Sequence, residues 1–322
     1  MNNIDFGEIN QDHFFRHKIG VYFSQHASIC NFKTSESWVI LSPIEQRIKA
    51  KIEAVGTPLK DWDIKIYRGI LTGYNVAFII SGDKRNELIK QDPKSEGIIR
   101  PILRGRDIKR YGYEFADLWL INTHNGIKEK GIKPINIDDY PAIKKHLDNY
   151  WDKIEKRADQ GDTPYNLRNC AYMEDFYKQK IVWARLMRIS KNDFYNFPRF
   201  AIIPKEIFIV DSLCFFTGND LFYLQGLLNS EFAQYYFFNN IAILDDGGMQ
   251  MRQQYVELMP IPIPPDHIKI KISELVKHIL KNTNIDNSNL INQYVYNLYG
   301  FTNDEIHYIK QYLQQKEKEI MD

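Results

Sequence analysis

Six residues, Pro260-Ile261-Pro262-Ile263-Pro264-Pro265, narrow the architecture more than any other stretch. Proline lacks an amide proton and has a fixed φ, so prolines at this spacing can neither continue a helix nor sit in a central strand. The run reads as an extended strap, and it divides the chain. Ahead of it, short strand-like runs alternate with helical patterns. Behind it, the patterns around Ile270 to Leu280, Leu290 to Tyr299 and Asn303 to Leu313 are all helical. The expected layout is an unassigned N-terminal segment over 1–35, a main domain over 36–265 and a helical tail over 266–322.

Within the main domain, Ser42-Pro43-Ile44-Glu45 opens a helix. Serine is placed to cap it, proline suits the first position, and glutamate three residues on completes a capping box. Ile44, Ile48 and Ile52 then repeat at helical spacing until Gly56. Strand patterns follow at Ile64 to Tyr67 and Val76 to Ile80, and the intervening Gly69 and Gly73 predict a hairpin. Further strand patterns cover Asp117 to Ile121, Lys180 to Leu186, Arg199 to Ile203 and Ile207 to Val210. Apolar stripes at Ile137, Tyr140, Ile143, Leu147, Tyr150 and Ile154, and from Leu221 through Tyr235, predict core-facing helices. The expected fold class is mixed α/β, of the α+β kind, with a mostly antiparallel or mixed sheet and a C-terminal helical tail.

A formal net charge of +1 excludes little, since a nucleic-acid binder needs only a basic face. Distribution says more. From Tyr177 to Lys205 seven basic residues (Lys178, Lys180, Arg185, Arg188, Lys191, Arg199, Lys205) face a single acid, Asp193, and six aromatic residues lie among them. Between Arg100 and Arg110 five basic residues face Asp107 alone. Both clusters suit a phosphate-facing surface, and both equally suit a solvated basic face. Three widely spaced cysteines, Cys30, Cys170 and Cys214, form no metal or redox motif and point to a reducing cytoplasm. No apolar run approaches the roughly 18 residues of a membrane span.

Motifs for chemistry do not accumulate. There is no Asn-Pro-Pro-Tyr run to hold a flipped adenine and no Phe-x-Gly-x-Gly loop for S-adenosylmethionine. The nuclease fragment Asp-x-Lys occurs three times, at Asp63-Ile64-Lys65, Asp92-Pro93-Lys94 and Asp107-Ile108-Lys109, a frequency that makes each occurrence cheap. His13 and His17 have helical spacing but no third ligand nearby, and Asp245-Asp246 before Gly247-Gly248 reads as a turn, so no metal is assigned.

Two ordered stretches carry a family resemblance. Residues Tyr67-Arg68-Gly69-Ile70-Leu71-Thr72-Gly73-Tyr74-Asn75-Val76-Ala77-Phe78-Ile79-Ile80 are followed by Leu103-Arg104-Gly105-Arg106-Asp107-Ile108-Lys109-Arg110-Tyr111. Together they resemble the TaqI-like C-terminal specificity domain of type IIG restriction-modification adenine methyltransferases. Lys180 to Trp183, Asp211 to Phe216, Leu227 to Ser230 and Gln254 to Pro264 resemble the same family, so the likeness runs from about Trp38 to Ile309. It implies a chain that recognises double-stranded DNA for a methyltransferase catalytic domain, in the same polypeptide or a separate chain. That domain, not this one, would bind S-adenosylmethionine, and a nuclease domain could lie beyond it.

Arginine, asparagine and glutamine are the side chains that read base edges, while lysine and the remaining arginines hold phosphates. The residues expected to read bases are Arg185, Arg188, Lys191 and Asn192, then Arg157, Gln160, Asn166, Arg168 and Asn169. Those expected to hold phosphates are Lys178, Lys180, Arg100, Arg104, Arg106, Lys109 and Arg110. Two other readings stay open at this point: a magnesium-dependent nuclease built on an Asp-x-Lys fragment, and a protein-binding scaffold.

Overall fold

The structure is a computed structural model. It describes residues 41–190, 193–244, 247–281 and 287–321, together with the backbone of 4–7 and 27–30. Strands β1 (Ile4–Gly7) and β2 (Ala27–Cys30) pair antiparallel. Helix α1 (Pro43–Val55) begins as its sequence requires: the Glu45 amide donates to Ser42 Oγ at 3.4 Å and the Ser42 amide to Glu45 Oε2 at 2.7 Å. After it come β3 (Gly56–Pro58), β4 (Ile64–Arg68), β5 (Ile79–Ser81), helix α2 (Gly82–Gln91), β6 (Ile99–Leu103) and β7 (Leu118–Ile121). Helix α3 (Pro141–Asp148) precedes β8 (Lys180–Ala184), β9 (Met187–Arg188), β10 (Ala201–Ile203), β11 (Phe208–Ile209) and β12 (Leu213–Gly218). Helices α4 (Leu221–Leu228) and α5 (Glu231–Asn240), strands β13 (Gly248–Met249) and β14 (Pro260–Pro262), and helices α6 (Asp266–Lys281), α7 (Ser288–Leu298) and α8 (Asn303–Met321) complete the chain.

Two four-stranded sheets organise these elements into an α+β fold. One has the order β10-β8-β12-β4 and is antiparallel throughout. The other, β11-β6-β7-β5, is mixed, since β11 and β6 run parallel. The expected hairpin does not form: β4 and β5 belong to different sheets. Gly69 is the cause. A Cβ there would stand 2.1 Å from the Val210 carbonyl oxygen, so glycine alone lets the backbones meet. The Ile70 amide then donates to Ile209 O at 2.8 Å, and the chain crosses to the second sheet instead of turning back. Of the run Val76 to Ile80, read as strand, only Ile79-Ile80 is strand, because Asn75–Phe78 form one helical turn before β5.

Between the sheets lie stacked rings. Phe176 meets Phe208 at 4.8 Å and Phe215 at 4.7 Å, all three fully buried. Truncating one such phenylalanine to alanine costs about 3–5 kcal/mol in cores of this kind. The proline strap lies at an edge, paired with β3 in a two-stranded ribbon. The tail folds back on the body. Gly226 of α4 faces Ile272 of α6 so closely that a Cβ would lie 2.7 Å from the isoleucine methyl. Lys51 of α1 pairs with the buried Glu305 of α8 at 2.7 Å. One apolar core therefore runs through residue 265 into the tail.

Candidate nucleic-acid interface

The register of the first sheet gathers arginines at one end. Cys214 of β12 pairs with Arg68 of β4 on one side and with Trp183 of β8 on the other. Residues directly opposite in an antiparallel ladder share a face. Arg68 is the last residue of β4, and Arg185 follows β8 at the same end, its amide donating to Ser212 O at 3.0 Å. Trp183 Nε1 donates to Met251 O at 2.8 Å, which fastens the segment carrying the exposed Arg252 across this face. Further along, β9 pairs with β13 and carries Arg188.

Arg68, Arg188 and Arg252 are exposed and Arg185 is half-buried. Among the described residues Arg68 and Arg252 meet no carboxylate, and Arg185 meets only the Asp211 carbonyl, at 3.5 Å. Burial pushes the Cys214 thiol up to about 11 against the pull of both Arg185 and Arg68, so their fields converge on one sulfur. Burial likewise raises the Tyr172 hydroxyl to about 12, while Arg68 and Arg168 draw it down. Arg168 therefore reaches the same end of the sheet but on its other face, where Tyr172 stacks on Tyr67 at 4.3 Å.

Arg168 ends a loop, residues 157–169, whose interior is built from residues expected to read bases. Arg157 turns inward and is 6% exposed. Its guanidinium donates to the carbonyls of Thr72 at 2.6 Å, Asp159 at 2.5 Å, Pro164 at 3.0 Å and Asn166, and lies 4.6 Å over the Phe78 ring. Asn166 is buried too, donating to Ile135 O at 2.9 Å and accepting from Thr163 Oγ1 at 2.6 Å. Neither can reach a base, which corrects both assignments. Gln160, Arg168 and Asn169 are exposed on the outside of the same loop. Arg168 also pairs with Asp159 at 3.0 Å, and Asn169 Oδ1 accepts from Asn125 Nδ2 at 2.5 Å.

The run of basic residues from 178 to 205 is split, not clustered. At about 3.3 Å per strand residue, β8 separates Lys180 from Arg185 by roughly 16 Å. Lys180 is fully buried, donating to Ile207 O at 3.1 Å and Pro204 O at 3.4 Å, and burial pulls its ammonium down to about 7. It holds no phosphate from there. Lys178, at the same end, is paired with Asp175 at 2.7 Å, and Lys205 is exposed there. Arg199 lies half-buried nearer the arginine end, donating to Arg188 O at 2.9 Å. Lys191 and Asn192 lie outside the described residues.

The second basic cluster is mostly tied down. Arg104 grips the buried Asp107 in a fork, at 3.1 Å through Nε and 2.9 Å through Nη2. Arg100 caps the carbonyls of Glu96, Gly97 and Ile99, and Arg110 donates to Asn229 O at 2.7 Å. A phosphate role for Arg100, Arg104 or Arg110 would forfeit these bonds. Lys109 pairs with Glu114 at 3.2 Å on the surface, and Arg106 is exposed. The Asp-x-Lys aspartates are structural and separate: Asp63 accepts from Asn219, Asp92 caps a helical turn and Asp107 holds Arg104. His13, His17, Asp245 and Asp246 lie outside the described residues.

Two members of the arginine face escaped sequence reasoning. Arg68 stands within the quoted family-like stretch, ahead of the glycine that ends its strand, and that position was the available signal. Arg252 carried none, because the Trp183 to Met251 bond that places it is tertiary.

The family model of the TaqI-like C-terminal specificity domain matches residues 100–262, half of the chain. The type II methyltransferase M.MjaIV of Methanocaldococcus jannaschii is 27% identical over 226 residues, which are 68% of this chain and 71% of that protein. Among solved structures, the type IIL restriction-modification enzyme MmeI, solved in complex with DNA, shares the fold with a TM-score of 0.58 at 15% identity. The type IIG restriction endonuclease BpuSI does so with 0.53 at 18%. The alignments cover 82% and 86% of this chain but only 36% and 32% of those, so this chain spans about a third of each. With the motifs, the two-sheet fold and the matched span in agreement, the chain belongs to the TaqI-like C-terminal specificity domain family.

Proposed function

We propose that this chain recognises the sequence of double-stranded DNA on behalf of a restriction-modification adenine methyltransferase in the cytoplasm. The observation that carries this reading is the convergence of Arg68, Arg168, Arg185, Arg188 and Arg252 from separate segments onto one end of a sheet, with Arg68 and Arg252 meeting no carboxylate among the described residues. Guanidinium groups so placed can fork onto guanine O6 and N7 or onto phosphate oxygens. Gln160 and Asn169 on the adjoining loop supply the groups suited to adenine. Methyl transfer belongs to a catalytic domain in the same polypeptide or in a separate chain. That domain holds S-adenosylmethionine, because this sequence carries neither the loop nor the adenine-holding motif for it.

The test is a titration of the 322-residue chain with duplex DNA at several salt concentrations. Weak binding that falls steeply with salt is expected, since four to six phosphate contacts give a slope of about −4 to −5 in log K against log salt. Magnesium-dependent cleavage would favour the nuclease reading, and salt-independent retention the scaffold.

A further inference from the structure

We infer that Arg157 is a positioning residue for base discrimination: seated on the Thr72-Gly73 turn, it fixes the 157–169 loop so that Gln160 and Asn169 meet base edges. The inference rests on the DNA-recognition reading above and deepens it.

Arg157 holds together segments distant in sequence. One of its nitrogens bridges Thr72 O, 85 residues away, and Asp159 O, and the other bridges Pro164 O and Asn166 O on the far side of the loop. Five donors in a rigid planar fork can satisfy this many carbonyls at once, and a lysine cannot. Among the described residues no carboxylate hydrogen-bonds the guanidinium, whose charge is met by carbonyl dipoles, the Phe78 ring and the field of Asp159. Burial pulls the guanidinium down to about 10, which still leaves it charged at neutral pH.

The socket is equally specific. Gly73 has φ +71°, and a Cβ there would stand 3.0 Å from Asp159 O and 3.3 Å from Arg157 Cδ. Thr72 Oγ1 donates to Asn75 Oδ1 at 2.5 Å, which fixes the turn that presents the Thr72 carbonyl. A second brace closes the loop from behind. The Leu167 amide donates to Thr123 O at 2.8 Å, the Asp162 amide to Asn125 Oδ1 at 2.7 Å, and Thr123 Oγ1 to Tyr165 O at 2.6 Å. Gly161 packs so tightly that a Cβ would lie 2.3 Å from Asn125 Oδ1. A loop braced this way is a rigid mount, and its outer residues, Gln160, Arg168 and Asn169, are polar and exposed, with Arg168 near the end of the sheet that carries Arg68. Rigid presentation of a few polar groups is what base readout requires.

The experiment captures a pool of duplexes with a randomised stretch on the full chain, sequences the bound fraction, and measures hydrogen exchange at the Gly161 and Leu167 amides. Wild type should retain duplex and enrich a preferred sequence. Arg157→Lys should lose protection at both amides and lower the enrichment at one or two positions by about tenfold. Total retention should change by less than about threefold, because phosphate contacts elsewhere persist. Gln160→Ala with Asn169→Asp, which keeps an acceptor for Asn125 Nδ2 but loses the amide donor, should erase the same preference while the amides stay protected. Should Arg157→Lys fail to fold, Gly73→Ala strains the same socket more gently and is read the same way. A loosened loop with unchanged enrichment, or an unchanged preference in the double variant, overturns the inference alone. A wild-type chain that retains no duplex overturns the recognition reading beneath it.

Discussion

The two ends of the β10-β8-β12-β4 sheet differ in how their charges are spent. At one end Arg68 and Arg252 are exposed and, among the described residues, meet no carboxylate, with Arg185 at the same end and Arg188 just beyond. At the other, Lys178 is held by Asp175 at 2.7 Å, Lys180 is sealed in the core, and Lys269 pairs with Asp220 at 3.4 Å. The chain supplies cations to both ends through the same strand, β8. What separates them is the acids brought in by other segments. A basic run is thus only an offer of charge, and tertiary placement decides whether it becomes a field that reaches solvent.

Five substitutions break or sharpen that contrast, taken from the largest expected effect. Arg104→Ala strips a forked partner from the buried Asp107 and should lower stability by about 2–3 kcal/mol. Duplex affinity of the folded fraction should not change, as thermal melts and titrations on one preparation would show; a loss of affinity would restore Arg104 to the interface. Lys180→Met should raise stability at pH 7 by about 1–2 kcal/mol, because a buried ammonium without a carboxylate gives way to an apolar chain of similar length. The sign follows from proton counts. The folded ammonium titrates near 7 and the unfolded one near its ordinary value, so the unfolded state binds more protons between them. Wild-type stability should therefore climb from about pH 7 towards pH 10, and denaturant titrations of Lys180→Met should show that rise gone.

Arg68→Ala or Arg252→Ala should weaken duplex binding about tenfold, or about 1.4 kcal/mol, with little change in the melt. An unchanged affinity in both would empty the arginine face of its meaning. Lys205→Ala, exposed at the opposite end, should alter affinity by less than about twofold. A larger effect there would extend the DNA path along the whole sheet.

Local rules made much of the fold legible. The capping box at Ser42 and Glu45 places α1, and the proline strap lies at an edge as its missing amide protons demand. The long apolar stripes are helices whose breaks are visible only afterwards. The first pauses between α3 and the turn Trp151–Ile154, and the second divides at Asn229-Ser230, where Ser230 Oγ accepts from the Ala233 amide and starts α5. The predicted hairpin fails for a nonlocal reason, the close approach of Gly69 to the Val210 backbone.

The site was legible in kind and poorly in position. Arg185 and Arg188 lie at the candidate face and Arg168 at the same end of the sheet on its other side, whereas Arg157 and Asn166 are the frame of the loop they were expected to present. An inward arginine and an outward one look alike in a polar stretch, because the carbonyls that claim Arg157 come from residues on both sides of it and from Thr72. Lys180 hides for the same reason: within an alternating strand nothing in sequence says that both faces are covered.

The central claim is that duplex DNA meets the arginine end of this sheet, and the slope of log K against log salt tests it most directly, measured on three proteins side by side. Wild type should give about −4 to −5, and the combined Arg68→Ala, Arg185→Ala and Arg252→Ala variant about −2, since three lost contacts remove about 2.7 units. The combined Lys65→Ala, Lys178→Ala and Lys205→Ala variant, with the same loss of charge at the opposite end, should stay within about half a unit of wild type. Equal slopes for the two triple variants, or a larger drop in the lysine set, would contradict the account.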